Sequence, residues 1–177
     1  MKNKKCWIII VIVGLITLVS VFKTQAAVSD PNTLRGLKGV TVMAGIDPDL
    51  APCFKRAGIY HDQIQADVES KLKRAGIKVF TEEECMKIPN VPMLRVLFAG
   101  QKIEGFPIYT INLIIDLDQA VCLSRNRSIC SWATTWSSGL LGGYTGDDRI
   151  ADAYNLLLDR LMNEFIIDYL SRNLKKK

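Results

Sequence analysis

The chain has 177 residues and a mass of 19.8 kDa, enough for one domain with an appendage. Its hydrophobic content of 49% and charged content of 23% argue against a disordered chain. Four of the 23 lysines and arginines lie in residues 1–26, which contain no acid, so the rest has 19 basic and 18 acidic side chains. This nearly neutral balance argues against a dedicated nucleic-acid binder, which needs a clustered positive surface.

Residues 1–26 have the order of a secretory signal peptide. Met1–Lys5 is positive, Cys6–Phe22 has no charged residue, and a short polar segment then ends in small residues at Ala26. This order predicts cleavage after Ala26. The apolar run would also extend ~26 Å as a helix, close to the thickness of a bilayer core, so a retained N-terminal membrane anchor is the alternative. Both interpretations predict a periplasmic or secreted protein, with an inner-membrane tether through residues 6–22 in the second.

The exported part is predicted to be a linker over residues 27–38 and a single domain over residues 39–177. Apolar residues recur at helical spacing in two segments and alternate with polar residues in the longest strand. The strands are predicted at Val40–Ala44, Ile77–Phe80, Met93–Phe98, Tyr109–Leu123 and Ser128–Ser137, and the helices at Ile59–Ala75 and Asp148–Asn173. We therefore predict an α+β fold in the order β-α-β-β-β-β-α, a mixed five-stranded sheet with two helices packed on one face.

Four cysteines remain after export, and an oxidising compartment favours disulfides among them. If residues 125–127 form a three-residue hairpin loop, Cys122 lies directly opposite Cys130, close enough to bridge. The second predicted pair is then Cys53–Cys85, and the alternative is that the cysteines are small buried apolar residues. The spacing contains no CxxC motif and so gives no support to a thioredoxin-like site or a zinc ribbon.

The candidates for catalysis and metal binding are few. His61 is the single histidine, and its neighbour Asp62 would not face it on a helix, so an exposed histidine at a helix start is favoured over a catalytic dyad. Asp116 and Asp118 lie on one face of a strand, where paired carboxylates can bind a metal, but no motif supplies further ligands. We interpret both as part of a solvated sheet face, and we expect no catalytic residue, metal or cofactor.

A glycine-rich segment, Gly139–Gly146, precedes the last predicted helix. Such a segment can bind phosphate through its backbone N–H groups. However, it lacks the lysine and hydroxyl residue of a P-loop, and Asp147 and Asp148 after it would repel an anion. We therefore predict a flexible connection or a mobile lid.

Two tryptophans are the strongest candidates for recognition. Trp132 and Trp136 are four residues apart on a predicted strand and would share a face with Cys130. On an uncovered sheet face they would form an interaction patch, whereas a bulge that turns one or both inward would place them in the core. The predicted binding residues are these two tryptophans and, from the glycine-rich segment, Gly142, Gly143 and Tyr144.

Four segments carry a resemblance to a group of small exported bacterial proteins of unknown function: Gln63–Ile77, Gln119–Arg125, Ala133–Trp136 and Phe165–Asn173. The order of elements is also loosely similar to periplasmic domains such as the TolB N-terminal domain and the penicillin-binding-protein activator lipoproteins. The chain differs from those activators because no cysteine follows the apolar run to form a lipobox. The resemblance implies a fold and a compartment, and it implies no activity.

The function expected from these features is a non-catalytic exported interaction module of the bacterial cell envelope, with an envelope protein as its partner. The alternative is a small-molecule or lipid carrier with a cavity between the sheet and the helices. Three lysines, Lys175–Lys177, end the chain and are interpreted as a solvated tail.

Overall fold

The domain is built on one mixed sheet, and the computed structural model describes residues 30–173. The strands are β1 (Thr41–Ile46), β2 (Met93–Ala99), β3 (Ile108–Leu123) and β4 (Asn126–Gly146). The helices are α1 (Ala51–Arg56), α2 (His61–Arg74), α3 (Glu82–Lys87) and α4 (Ile150–Asn173), with 3₁₀ turns at Pro31–Leu34 and Asp147–Arg149. The strand order is β1-β2-β3-β4, in which β1 and β2 are parallel and the other neighbours are antiparallel.

Within residues 30–173 the sheet has four strands, so the predicted five-stranded sheet is wrong, although the α+β class holds. The predicted strand Ile77–Phe80 forms only an isolated parallel bridge, between Val40 and Val79. Directly after it, Thr81 caps the start of α3 in a capping box. The Thr81 side chain accepts from the Glu84 N–H, and the Glu84 side chain accepts from the Thr81 N–H. This cap turns the chain away from the sheet before a ladder can extend.

The two long helices, α2 and α4, contact each other and cover one face of the sheet, which we call the covered face. Ile64, Val68 and Leu72 recur every four residues on α2 and are all fully buried. Basic residues occupy the last turn of α2, where they complement the helix dipole. The remaining core comes mainly from alternate residues of two strands and from α4: Leu94, Val96, Phe98, Ile111, Leu113, Ile115, Leu117, Leu158, Leu161, Met162 and Phe165.

The glycine-rich segment is part of β4 rather than a connection or lid. Its residues pair with the first half of β3, up to Ile114 opposite Leu140. Gly142 lies so close to β3 that an added Cβ would be 2.0 Å from Asn112 Oδ1, and Gly139 has a φ of 69° at a register shift. The glycines therefore permit a close strand contact and a bulge, so a sequence rich in glycine continues as a strand.

The predicted disulfide between Cys122 and Cys130 is confirmed, but the hairpin loop beside it differs from the prediction. The turn has two residues, Ser124 and Arg125, and Leu123 pairs with Asn126. A register shift between this pair and Cys122 restores the two cysteines to opposite positions. The bulged residues in β4 thus compensate for the shorter turn.

Part of the predicted linker packs onto the domain. Leu34, at the end of the first 3₁₀ turn, is fully buried. Beside it, the Thr33 hydroxyl donates to the Thr135 carbonyl oxygen at 2.9 Å. The Asn173 amide, at the end of α4, donates to the Leu34 carbonyl oxygen at 2.8 Å. The first described residues and the end of α4 therefore lie at the same end of the sheet.

Candidate functional site at Trp132

The two tryptophans lie on opposite faces of the sheet, so they do not form one patch. Leu117 pairs with Trp136 whereas the next residue, Asp118, pairs with Thr134, and the extra residue Thr135 reverses the alternation of β4. Trp136 is fully buried in the covered face. Its prediction as a binding residue is therefore wrong, and the bulge that was the competing explanation is present.

Trp132 lies on the other side of the sheet, which we call the open face, and its side chain is 52% exposed. The last pair between β2 and β3 is Met93 with Asp118, so the hairpin continues beyond β2 as two strands only. We call this extension, residues 119–133, the hairpin arm. Its Cys122–Cys130 disulfide links the two strands, and every side chain over residues 126–132 is exposed.

A cleft of about 410 Å³ lies beside Trp132, and we call it the Trp132 cleft. It is formed where β1, β2 and the hairpin arm meet α3 and the loop after α3. Besides Trp132, its lining residues are Thr41, Cys85, Ile88, Asn90, Val91 and Met93. None of these side chains is an acid, a lysine, an arginine or a histidine, so the cleft offers apolar surface with a few uncharged polar groups.

Two local features position the α3 side of the Trp132 cleft. The capping box at Thr81 fixes the start of the helix that carries Cys85, and Lys78 forms an ion pair of 2.6 Å with Glu84. Asn90 has a φ of 58° in the loop that follows, a left-handed conformation that asparagine tolerates better than most residues. The sequence analysis did not predict this side of the cleft. The available signal was the pair of prolines, Pro89 and Pro92, that flank Asn90 and Val91.

The predicted Cys53–Cys85 disulfide does not form in the structure, where both residues carry free thiols. Cys53 is buried in α1, and its thiol donates to the Leu50 carbonyl oxygen at 3.1 Å. Burial raises the pKa of Cys53, because the charged thiolate is disfavoured in an apolar environment. Cys85 is half-buried and lines the Trp132 cleft.

The remaining predicted binding residues lie at the other end of β4. Gly142, Gly143 and Tyr144 pair with Asn112, Ile111 and Thr110 of β3, in that order. The Tyr144 side chain is 76% exposed and lines a separate cleft of about 270 Å³ with residues of the first turns of α4. The structure therefore places Trp136 in the core, Trp132 at the Trp132 cleft and Tyr144 at this second cleft, whereas Gly142 and Gly143 belong to the ladder with β3.

His61 is the exposed first residue of α2, as expected, but its ring has a structural contact. Nε2 lies 2.7 Å from the Ala44 carbonyl oxygen at the outer edge of β1. Nδ1 is 3.4 Å from Asp62 Oδ1, and both side chains are largely exposed. In this arrangement the ring does not activate a nucleophile, because Nε2 contacts the Ala44 carbonyl oxygen of the backbone.

Asp116 and Asp118 lie on the open face, where Arg95 of β2 lies between them. Arg95 Nη2 donates to Asp116 Oδ2 at 2.7 Å, and Nη1 is 3.6 Å from Asp118 Oδ2. The hydrogen bond to Asp116 raises the pKa of Arg95. Asp118 is buried and accepts from the Thr134 hydroxyl at 2.6 Å. The pair therefore holds strands together, and residues 30–173 contain no group of three or more His, Cys, Asp or Glu that could hold a metal ion.

No family model matches the chain, and no curated protein shows significant similarity to it. Within the described part, no helix combines the length and apolar character needed to cross a membrane. The apolar segment Cys6–Phe22 lies outside the described residues.

Proposed function

We propose that this chain is an exported, non-catalytic interaction module of the bacterial cell envelope that holds a protein partner at the Trp132 cleft. The observation that carries the proposal is the exposure of Trp132, 52% of its side chain, beside a cleft with an uncharged and largely apolar lining. Large aromatic residues in such clefts contribute much of the energy of protein–protein interfaces. A partner side chain inserted beside Trp132 would bury both surfaces.

Two features support export. The order of residues 1–26 is that of a signal peptide or membrane anchor. The Cys122–Cys130 disulfide joins residues of the exposed hairpin arm, and such bonds persist in oxidising compartments. The proposal places the domain in the periplasm or outside the cell, with a tether to the inner membrane through residues 6–22 if that segment is retained.

The chemistry of the described residues supports a non-catalytic role. An enzyme site needs a nucleophile or base together with groups that orient it and stabilise charge. The ring of His61 contacts a backbone carbonyl group, and Asp116 with Asp118 is engaged by Arg95. The Trp132 cleft has one thiol, Cys85, and no acid or base in its lining to activate it.

The alternative of a ligand carrier receives less support. A carrier cavity between the sheet and the helices would occupy the space that core side chains fill, among them Phe98, Phe165 and Trp136. The edge-to-face contact of Trp136 with Phe165, with centroids 5.1 Å apart, lies in this layer. A ligand there would have to displace fully buried rings, whereas a partner at the Trp132 cleft displaces only water.

The test is photo-crosslinking in intact cells, with a benzoylphenylalanine introduced at Ile88 on the rim of the Trp132 cleft. We expect one dominant adduct with an envelope protein, and we expect Trp132→Ala to abolish it without lowering the melting temperature. Tyr144→Ala is the matched control, because it removes an exposed aromatic residue at the other end of β4. An adduct that survives Trp132→Ala, or no protein adduct together with a lipid or metabolite in native mass spectrometry, would refute the proposal.

A further inference from the structure

The two edges of the sheet are covered to very different extents. At the outer edge of β1, the Gln65 side chain accepts from the Ala44 N–H at 3.1 Å and donates to the Val42 carbonyl oxygen at 3.1 Å. His61 contacts the Ala44 carbonyl oxygen, and Val40 pairs with the segment around Val79. Side chains or another segment therefore occupy backbone groups of Val40, Val42 and Ala44 on this edge, as natural proteins arrange to prevent unwanted strand pairing.

In the part of the chain that the structure describes, the outer edge of β4 has no comparable cover. Among residues 30–173, the one hydrogen bond that reaches the β4 backbone from an element other than β3 is that of Thr33 to the Thr135 carbonyl oxygen. From Ser128 to Gly146 the strand contains no charged residue and no proline. Charges and prolines are the usual means of keeping an exposed edge unpaired, so this edge remains open to another strand.

The hairpin arm is the part of this edge that a further strand would stabilise most. It extends beyond β2 with two strands only, and its side chains over residues 126–132 are exposed. An isolated two-stranded ribbon is marginally stable in water, and a third strand is the usual source of further stability. The disulfide restrains the ribbon, but within residues 30–173 no strand pairs with the outer row of backbone groups of the arm.

The register of β3 and β4 shows which backbone groups of the arm point outward. Cys122 and Cys130 are directly opposite with Cα atoms 4.0 Å apart, the short spacing of a pair that exchanges no backbone hydrogen bonds. The N–H and C=O groups of Cys130 therefore point away from β3, and by alternation so do those of Trp132. A strand laid along this edge would bond to these two residues.

We propose that the hairpin arms of two copies of this chain pair edge to edge in an antiparallel manner, through Ser128–Thr134. In this register, centred on Ser131, the outward groups of Cys130 in one copy face those of Trp132 in the other. Both residues contribute outward groups, so a complete pair of hydrogen bonds forms on each side of the twofold axis. Each arm then lies in a four-stranded ribbon.

The charge distribution favours a second copy over a foreign strand. In an antiparallel pair of identical strands, a charge at the axis faces its own copy, and Ser128–Thr134 contains none. Arg127, the nearest charge, would lie beside Thr135 of the other copy rather than beside the other Arg127. Thr135 also marks the end of the pairing segment, because its carbonyl oxygen is already held by Thr33.

The test introduces like charges into the pairing segment and then mixes variants of opposite charge. The full chain is purified in the form that the cell produces, and every sample is kept in the same detergent. Its mass is measured by light scattering. We expect the wild type to be a dimer, and we expect the double variants Ile129→Lys with Ser131→Lys, and Ile129→Glu with Ser131→Glu, each to be monomeric. An equal mixture of the two variants should restore a dimer. Leu156→Lys, on the exposed surface of α4, is the control and should remain dimeric.

A monomeric wild type, a dimeric lysine variant, or a mixture that fails to associate would each overturn the proposal. A benzoylphenylalanine at Ser131, with tagged and untagged copies produced together in cells, identifies the occupant. An adduct between the two copies supports the proposal, and an adduct with another protein overturns it. The two proposals share Trp132, whose backbone faces this edge and whose side chain lines the Trp132 cleft on the open face. The oligomeric state tests the edge, and the adduct at Ile88 tests the cleft, so either proposal can fail without the other.

Discussion

The indole nitrogen of Trp136 donates a hydrogen bond of 2.9 Å to the carboxylate of Asp168, which joins β4 to the last helix, α4. The Trp136 ring is fully buried, and this hydrogen bond satisfies the one polar atom of its side chain. This contact explains how a tryptophan that a regular strand would expose is kept on the covered face. The bulge at Thr135 and the carboxylate on α4 act together.

Trp136→Ala should lower the free energy of unfolding by about 3–5 kcal/mol, because it leaves a large cavity in the core. Trp136→Phe should cost less, since it keeps most of the apolar contact but leaves Asp168 without its donor. Urea denaturation followed by circular dichroism measures both. If Trp136→Ala were as stable as the wild type, the ring would not belong to the core.

The two adjacent glycines of β4 should respond differently to alanine. At Gly142 the new Cβ would meet Asn112 Oδ1 at 2.0 Å and the Ile111 carbonyl oxygen at 2.5 Å. At Gly143 the Cβ position has no heavy atom within 4 Å apart from those of the residue itself and its two chain neighbours. We expect Gly142→Ala to cost about 1–3 kcal/mol in unfolding free energy, as overpacking does, and Gly143→Ala to be close to neutral. Equal costs would contradict the close contact between β3 and β4.

Gln65 should protect the edge of β1. Gln65→Ala removes its hydrogen bonds to Ala44 and Val42, and we expect the exposed edge to promote concentration-dependent association. Gln63→Ala is a matched control, because Gln63 lies on the same helix and its side chain, among the described residues, hydrogen-bonds only to Asp67. Sedimentation velocity over a range of concentrations measures the effect. Identical behaviour of the two variants would show that Gln65 does not guard the edge.

Cys53 and Cys85, the free thiols within residues 30–173, should differ in reactivity. Maleimide should label half-buried Cys85 in the folded protein and label Cys53, which is 1% exposed, only after denaturation. Because burial raises the pKa of Cys53, the folded chain holds this proton to a higher pH than the unfolded chain. Its contribution to stability is therefore present below the ordinary thiol pKa and is lost as the pH rises through the raised value.

A Cys53→Ser variant isolates this contribution. The loss of stability between neutral pH and pH 10 should be smaller in the variant than in the wild type, because the serine hydroxyl does not ionise in this range. Equal losses in the two proteins, or rapid labelling of Cys53 in the folded state, would contradict a buried thiol with a raised pKa.

Local patterns were sufficient to predict the elements that depend on side-chain period. The spacing of Ile64, Val68 and Leu72 predicted α2, and the alternation along β3 predicted the longest inner strand. The opposition of Cys122 and Cys130 was also predicted, although the turn that produces it has a different length. These features are encoded within one element or one hairpin, so a short stretch of sequence contains the information.

The predictions that were wrong concern features that depend on contacts between residues distant in the sequence. The glycine-rich segment became a strand because β3 offers it a ladder, and Ile77–Phe80 did not extend into one because α3 begins immediately after it. The α3 side of the Trp132 cleft was not predicted, because residues from β1, β2, α3 and the hairpin arm meet there only in the folded chain.

The sequence by itself determined the helical and strand periods, the cysteine pair of the hairpin and the apolar segment that predicts export. The tertiary structure decided which tryptophan is buried, which sheet edge is covered and where a cleft forms. The physical reason is that a single extra residue, Thr135, reverses the faces of a strand at little local cost. The position of this bulge is set by the tertiary structure, because burial of Trp136 in the core outweighs regular pairing of β4 with β3.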